Sequence, residues 1–120
     1  MMSPMRLLPA LPLALAMAAP ASAGTPPPAF ATCRACHATV PGQSLLGPTL
    51  HGVVGRKAAA VPGFAYSAAF KALKVTWNDA TLDTWLANPV KMVPGTRMAY
   101  PGIADPAQRK AVIAYLKTLR

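Results

Sequence analysis

The sequence predicts an all-α domain of small helices joined by long loops, and three observations predict it. Cys33-Arg34-Ala35-Cys36-His37 reads C-x-x-C-H, the attachment signature of a c-type haem. Apolar residues at helical spacing occur only in short stretches, at Ser67–Leu73, Asp79–Ala87 and a last stripe carrying Val112, Ile113, Leu116 and Leu119. Gly- and Pro-rich segments separate these stretches, and no run shows the alternation of a half-buried strand.

The motif has a mechanical logic. Residues three and four apart share a face of a helical turn. Cys33 and Cys36 can therefore reach two adjacent vinyl groups and form thioethers, while His37 turns its imidazole toward the iron from the same side. These are the only 2 cysteines in the chain. A thioredoxin-like pair would need a βαβ context, and a zinc site a second pair of ligands, for which His51 is the only other histidine.

Upstream of the motif lies a leader. Arg6 supplies a short positive segment, Leu7 to Ala19 is almost wholly apolar, and Ala21-Ser22-Ala23 fits a small-residue cleavage site. The apolar run contains Pro9 and Pro12 and falls short of the ~20 residues of a spanning helix. The expected organisation is a cleaved signal peptide over 1–23, a Pro-rich segment over 24–29 and a haem domain over 30–120, with no membrane insertion once the signal is removed.

Charge narrows the partners. The chain carries 12 Lys+Arg against 3 Asp+Glu, a net charge of +9, and the leader removes only Arg6 from that excess. Such a field steers encounters with acidic surfaces. The basic residues are scattered and form no nucleic-acid motif, so nucleic acid is not the expected partner.

In chain order, Pro26-Pro27-Pro28 can precede a helix but cannot sit inside one. A short helix is expected from about Pro28 through the haem motif, with Phe30 packed inward. Val40 to Gly55 reads as loop, and a loop of that length needs a support, which a haem edge would provide. Asn78 or Asp79 caps the next helix, Leu82, Trp85 and Leu86 share its face, and Asn88-Pro89 closes it. Val90 to Gly102 reads as loop again. Asp105 caps the last helix with Pro106 at its first position, and Lys117 and Arg120 complement its C-terminal dipole.

His37 leaves a second axial position on the iron. Met98, within Val93-Pro94-Gly95-Thr96-Arg97-Met98, is the leading candidate, because a thioether is a soft, neutral ligand. Met92, His51 and an open position remain the alternatives on local pattern.

The ordered set of motifs resembles class I cytochromes c of the bacterial c2 or mitochondrial-like type. The resemblance runs from Phe30 to Leu119. It rests on Cys33 to His37, Gly47-Pro48, Leu50-His51-Gly52, Gly55-Arg56, Gly63 to Tyr66, Thr76-Trp77, Leu86 to Pro89, Pro94 to Met98 and Ile113 to Lys117. It implies the cytochrome c fold, helices and loops wrapped around one covalent haem, with His37 and Met98 as iron ligands. It also implies that the Pro48 carbonyl orients His37, that Arg56, Tyr66 and Trp77 serve a haem propionate, that Trp85 stands near the Met ligand where a tyrosine is usual, and that Thr96 closes the Met loop.

The resemblance implies a soluble, monomeric, periplasmic one-electron carrier rather than an enzyme. Its partners would be acidic-surfaced redox proteins: a respiratory complex, an oxidase, a photosynthetic centre or a periplasmic dehydrogenase. Lys57, Lys71, Lys74, Lys91 and Arg97 are the candidate docking cations. A haem enzyme or gas sensor with an open distal site, or an electron-transfer subunit of a larger dehydrogenase or oxidase, are the alternative readings. Two departures from the family stand out. Prolines occupy the usual first helix, which predicts reduced contact with the last one, and Phe70 stands where an asparagine often joins a buried polar network.

Overall fold

The structure, a computed structural model, describes residues 1–14 and 23–120. Residues 1–14 carry no regular element, and their leucines are exposed. Ala21 and Ser22 of the expected cleavage site lie outside the described residues.

Among the described residues the fold is helical. Two 3-10 turns, Pro28–Phe30 and Cys33–Ala35, are followed by four α-helices: α1 (Ala68–Lys71), α2 (Asp79–Ala87), α3 (Pro89–Met92) and α4 (Pro106–Leu116). One isolated antiparallel bridge joins Lys57 to Thr76. The all-α expectation therefore holds, with two local corrections. The stretch from Pro28 through the haem motif forms two separate 3-10 turns rather than one short helix, and each closes through i→i+3 bonds such as Cys36 N–H to the Cys33 carbonyl (3.2 Å). Pro89–Met92, read as the start of a loop, forms a further helical turn. Pro89 occupies its first position and the Asn88 side chain accepts from Lys91 N–H (3.1 Å), so one Asn-Pro pair closes α2 and opens α3.

The other helices start where their caps predict. Asn78 and Thr81 form a reciprocal capping box on α2, at 3.0 and 2.9 Å. Asp105 accepts from Ala107 N–H (2.9 Å) at the head of α4. Ser67 caps α1, trimming the expected Ser67–Leu73 helix to a single turn.

Leu82, Trp85 and Leu86 of α2 face Val112, Ile113, Tyr115 and Leu116 of α4 in one buried core. Two ion pairs tie the helices at the rim, Arg109 to Asp83 (2.7 Å) and Lys117 to Asp79 (2.8 Å). Lys117 thus serves a cross-helix contact besides standing at the end of α4. Gly102 (φ +99°) lets the chain press onto the end of α2, where a Cβ would overlap the Ala87 carbonyl, and Ile103 N–H reaches the Leu86 carbonyl (2.7 Å).

The expected weakening of contact between the first and last helices is corrected in part. Phe30 is fully buried (0 % exposed) edge-on to the Tyr115 ring, with centroids 4.7 Å apart. The short first turn keeps this crossing through one aromatic side chain. Ahead of it, Gly24 N–H donates to Thr118 Oγ1 (2.8 Å), so the Pro-rich segment also starts against the end of α4.

Candidate haem-binding site

Cys33 opens the second 3-10 turn, Cys36 caps it and His37 follows directly, with His37 N–H bonded to the Cys33 carbonyl (2.9 Å). Both cysteines are half-buried and form no disulfide with each other. Burial pushes the Cys33 thiol above its ordinary value.

The loop after the motif folds back on it. Gly47 N–H donates to the Cys36 carbonyl (2.9 Å) and Leu50 N–H to that of Ala38 (2.9 Å). Gly47 lies against the His37 ring so closely that a Cβ there would overlap its Cε1 and both ring nitrogens. That approach delivers the Pro48 carbonyl to His37 Nδ1 at 2.7 Å. A carbonyl can only accept, so Nδ1 carries the proton and Nε2 keeps its lone pair. The His37 pKa is lowered, chiefly by burial; the Pro48 bond opposes this, and the nearby Arg56 charge adds to it. The neutral imidazole with a free Nε2 is the form that binds iron.

Arg56 stands on the far side of the same loop. Its Nη1 donates to the His51 carbonyl (3.2 Å) and its Nη2 to the Thr49 carbonyl (2.9 Å). Its Nε is buried and has no partner among the described residues. Burial also pulls its pKa below the ordinary arginine value. A desolvated cation with a spare N–H is matched by an anionic acceptor.

Trp77 is the backbone neighbour of Arg56, with Trp77 N–H on the Arg56 carbonyl (2.9 Å). Trp77, Trp85, Phe70 and Tyr66 form one aromatic cluster. Tyr66 stacks on Phe70 (5.4 Å, 8°), Phe70 meets Trp85 edge-on (5.4 Å), and the two indoles lie 5.7 Å apart. Phe70 thus sits in aromatic packing on three sides. The Tyr66 hydroxyl accepts from Val61 N–H (3.1 Å), which leaves its own proton to donate.

Met98 is half-buried and packs against the core that holds Trp77 and Trp85, as does Met92. Its loop is pinned twice: Met98 N–H donates to Thr96 Oγ1 (3.3 Å), and Arg97 Nη1 reaches the Ala65 carbonyl (3.1 Å) beside Tyr66. His51 uses its backbone in the Arg56 clamp. Sequence reasoning missed Thr49 and the close approach of Gly47 to the ring. The Gly-Pro pair signalled the second only as a turn.

These features define a class: small all-α proteins built to hold a c-type haem by two cysteines and a carbonyl-oriented histidine. The residues present fit that group, since the buried Arg56 Nε lacks an acceptor among the described residues and a propionate would supply one. The family model for cytochrome c matches residues 28–120. The chain is 46% identical over 100 residues to cytochrome c2 iso-1 of Magnetospirillum molischianum, covering 82% of this chain and 100% of that one. It is 45% identical over 93 residues to cytochrome c2 iso-2 of Magnetospirillum fulvum, covering 78% and 97%. It superposes on cytochrome cH from Methylobacterium extorquens with a TM-score of 0.71 and 52% identity, covering 75% of this chain and 91% of that one. The chain belongs to the cytochrome c family. It is a single-haem electron-transfer cytochrome that takes covalently attached haem c and works between redox partners. Among the described residues no helix is long and apolar enough to cross a membrane.

Proposed function

We propose that this chain is a freestanding one-electron carrier of the periplasm, monomeric and not an enzyme, released from its leader between Ala23 and Gly24. In this reading Cys33 and Cys36 would form the thioethers, and His37 and Met98 would supply the iron's protein ligands. The observation that carries it is the 2.7 Å bond from His37 Nδ1 to the Pro48 carbonyl, which presents a neutral, fixed imidazole.

Haem supplies the redox chemistry when bound, its iron alternating between ferric and ferrous. The protein's residues set how readily that happens. The Pro48 carbonyl raises the basicity of His37 and fixes its ring plane. The Met98 thioether favours the ferrous state and raises the reduction potential. Thr96 holds the Met98 backbone at 3.3 Å. Arg56 would balance propionate charge and Tyr66 and Trp77 would donate hydrogen bonds to it, while Phe70 and Trp85 belong to the apolar core against which Met98 packs. His37 and Met98 together would leave the iron no position for a substrate, which is what separates a carrier from an enzyme.

Docking follows from charge. Lys57, Lys71, Lys74, Lys91 and Arg97 are all exposed, whereas Asp79 and Asp83 are engaged in ion pairs and Asp105 in a helix cap. These cations, none of them in an ion pair among the described residues, meet an acidic redox partner in a short-lived complex, steered by long-range attraction.

The absorption spectrum of the purified ferric protein tests the ligand set. A low-spin spectrum with the weak red band of Met–iron ligation is expected. Met98→Ala is expected to turn it high-spin, to admit CO to the reduced form, and to lower the potential by roughly 0.1 V or more, within the ~0.8 V range that axial ligands span. A high-spin wild type would favour an open-site sensor or enzyme instead. Association with an acidic redox protein should slow as salt rises through the range where the Debye length falls from ~10 to ~3 Å. An on-rate indifferent to salt removes the docking assignment. The mass of the exported chain reads the cleavage point.

A further inference from the structure

Thr49 is buried (6 % exposed) although it is polar, and each of its polar atoms is used. Its N–H donates to Ser44 Oγ (3.3 Å), its hydroxyl donates to the Val40 carbonyl (2.7 Å) and accepts from His51 N–H (3.2 Å), and its carbonyl accepts from Arg56 Nη2 (2.9 Å). The residue before it is Pro48, whose carbonyl holds His37.

We propose that Thr49 is a positioning residue that aims Arg56 at the haem propionate and thereby sets the redox equilibrium. This rests on the reading of Arg56 as a propionate partner. A guanidinium is planar, with five donors in a fixed fork, so two well-placed acceptors fix its plane. Those acceptors are the carbonyls of Thr49 and His51. They stand two residues apart in one turn, and the Thr49 hydroxyl stitches that turn to His51 N–H at one end and to Val40 at the other. With both Nη groups so occupied, Nε is left buried and unpartnered. A hydroxyl that does not touch Arg56 therefore decides where the free N–H of Arg56 points. Placing a fixed cation beside a propionate favours the ferrous state, because reduction adds an electron nearby.

Thr49→Val keeps the shape and the backbone carbonyl and removes only the hydroxyl. At a fixed mediator potential the ferric-to-ferrous ratio is expected to rise about threefold, the size of one weakened hydrogen bond. Thr49→Ser should restore the wild-type ratio. Arg56→Gln alone should shift the ratio in the same direction and further, and adding Thr49→Val to it should change nothing more. A Thr49→Val protein with the wild-type ratio overturns the inference, as does a shift of equal size in the Arg56→Gln background. If Arg56→Gln alone leaves the ratio unmoved, the propionate reading itself fails. Should Thr49→Val not mature, amide hydrogen exchange of wild-type His51 decides. Slow exchange is expected from its bond to the buried hydroxyl, and exchange at the rate of an open loop overturns the assignment.

Discussion

The α2–α4 pair and the loop from Ala38 to Arg56 stabilise themselves by different means. The helices carry caps, a shared apolar face and two rim ion pairs, so each turn is supported locally and then packed. The loop has no regular helix and only Thr49 and Val53 among its buried residues. It is held by single hydrogen bonds reaching back to the haem motif and across to Arg56. The helical half is a scaffold in which many small contributions are interchangeable. The loop half is a positioning device in which one atom can matter.

The largest test of this contrast strikes the point where the two halves meet. Phe30 lies just before the haem motif and packs on Tyr115 of α4. Phe30→Ala is expected to cost about 3–5 kcal/mol, the usual penalty for emptying a fully buried aromatic site, read as a lowered denaturant midpoint. A loss below ~1 kcal/mol would show that the halves are joined by something else.

A smaller effect is expected inside the loop, where its reach into the redox centre is the sharper readout. In Gly47→Ala the new methyl overlaps the His37 ring, so either the ring or the Gly47-Pro48 backbone must move. We expect about 1–3 kcal/mol of overpacking cost, together with a changed ferric–ferrous equilibrium as the Pro48 bond lengthens. Unchanged redox behaviour would mean that the ring is not held by this approach.

The smallest effect belongs to the helical half. Asn78→Ala removes one side of the α2 capping box and should cost ~1 kcal/mol. The redox equilibrium should not move. If it does, the scaffold and the site are coupled more tightly than their separate bonding implies.

The same contrast governs what the sequence discloses. Asp79–Ala87 and Pro106–Leu116 could be placed from caps, prolines and apolar spacing, because all of these act within a few residues. Cys33, Cys36 and His37 were legible because their chemistry needs a fixed local spacing. The split of this stretch into two 3-10 turns was not, since the three prolines ahead of the motif signal a helix start without choosing between 3-10 and α. Pro89–Met92 was hidden by the rule that proline ends a helix, when Asn88-Pro89 does that and begins another. Thr49 carries no local signature at all. Its partners lie two to nine residues away in a loop whose path only the folded structure reveals.

The bond from Gly24 N–H to Thr118 Oγ1 places the head of the Pro-rich segment beside the residues that follow α4. A short linker from Arg120 to Gly24 would therefore close the domain into a ring without stretching it, and the chain could then be opened at a surface turn elsewhere. Circular permutants and head-to-tail fusions should be built at this seam, and a bulky tag placed there would press on the last turn of α4.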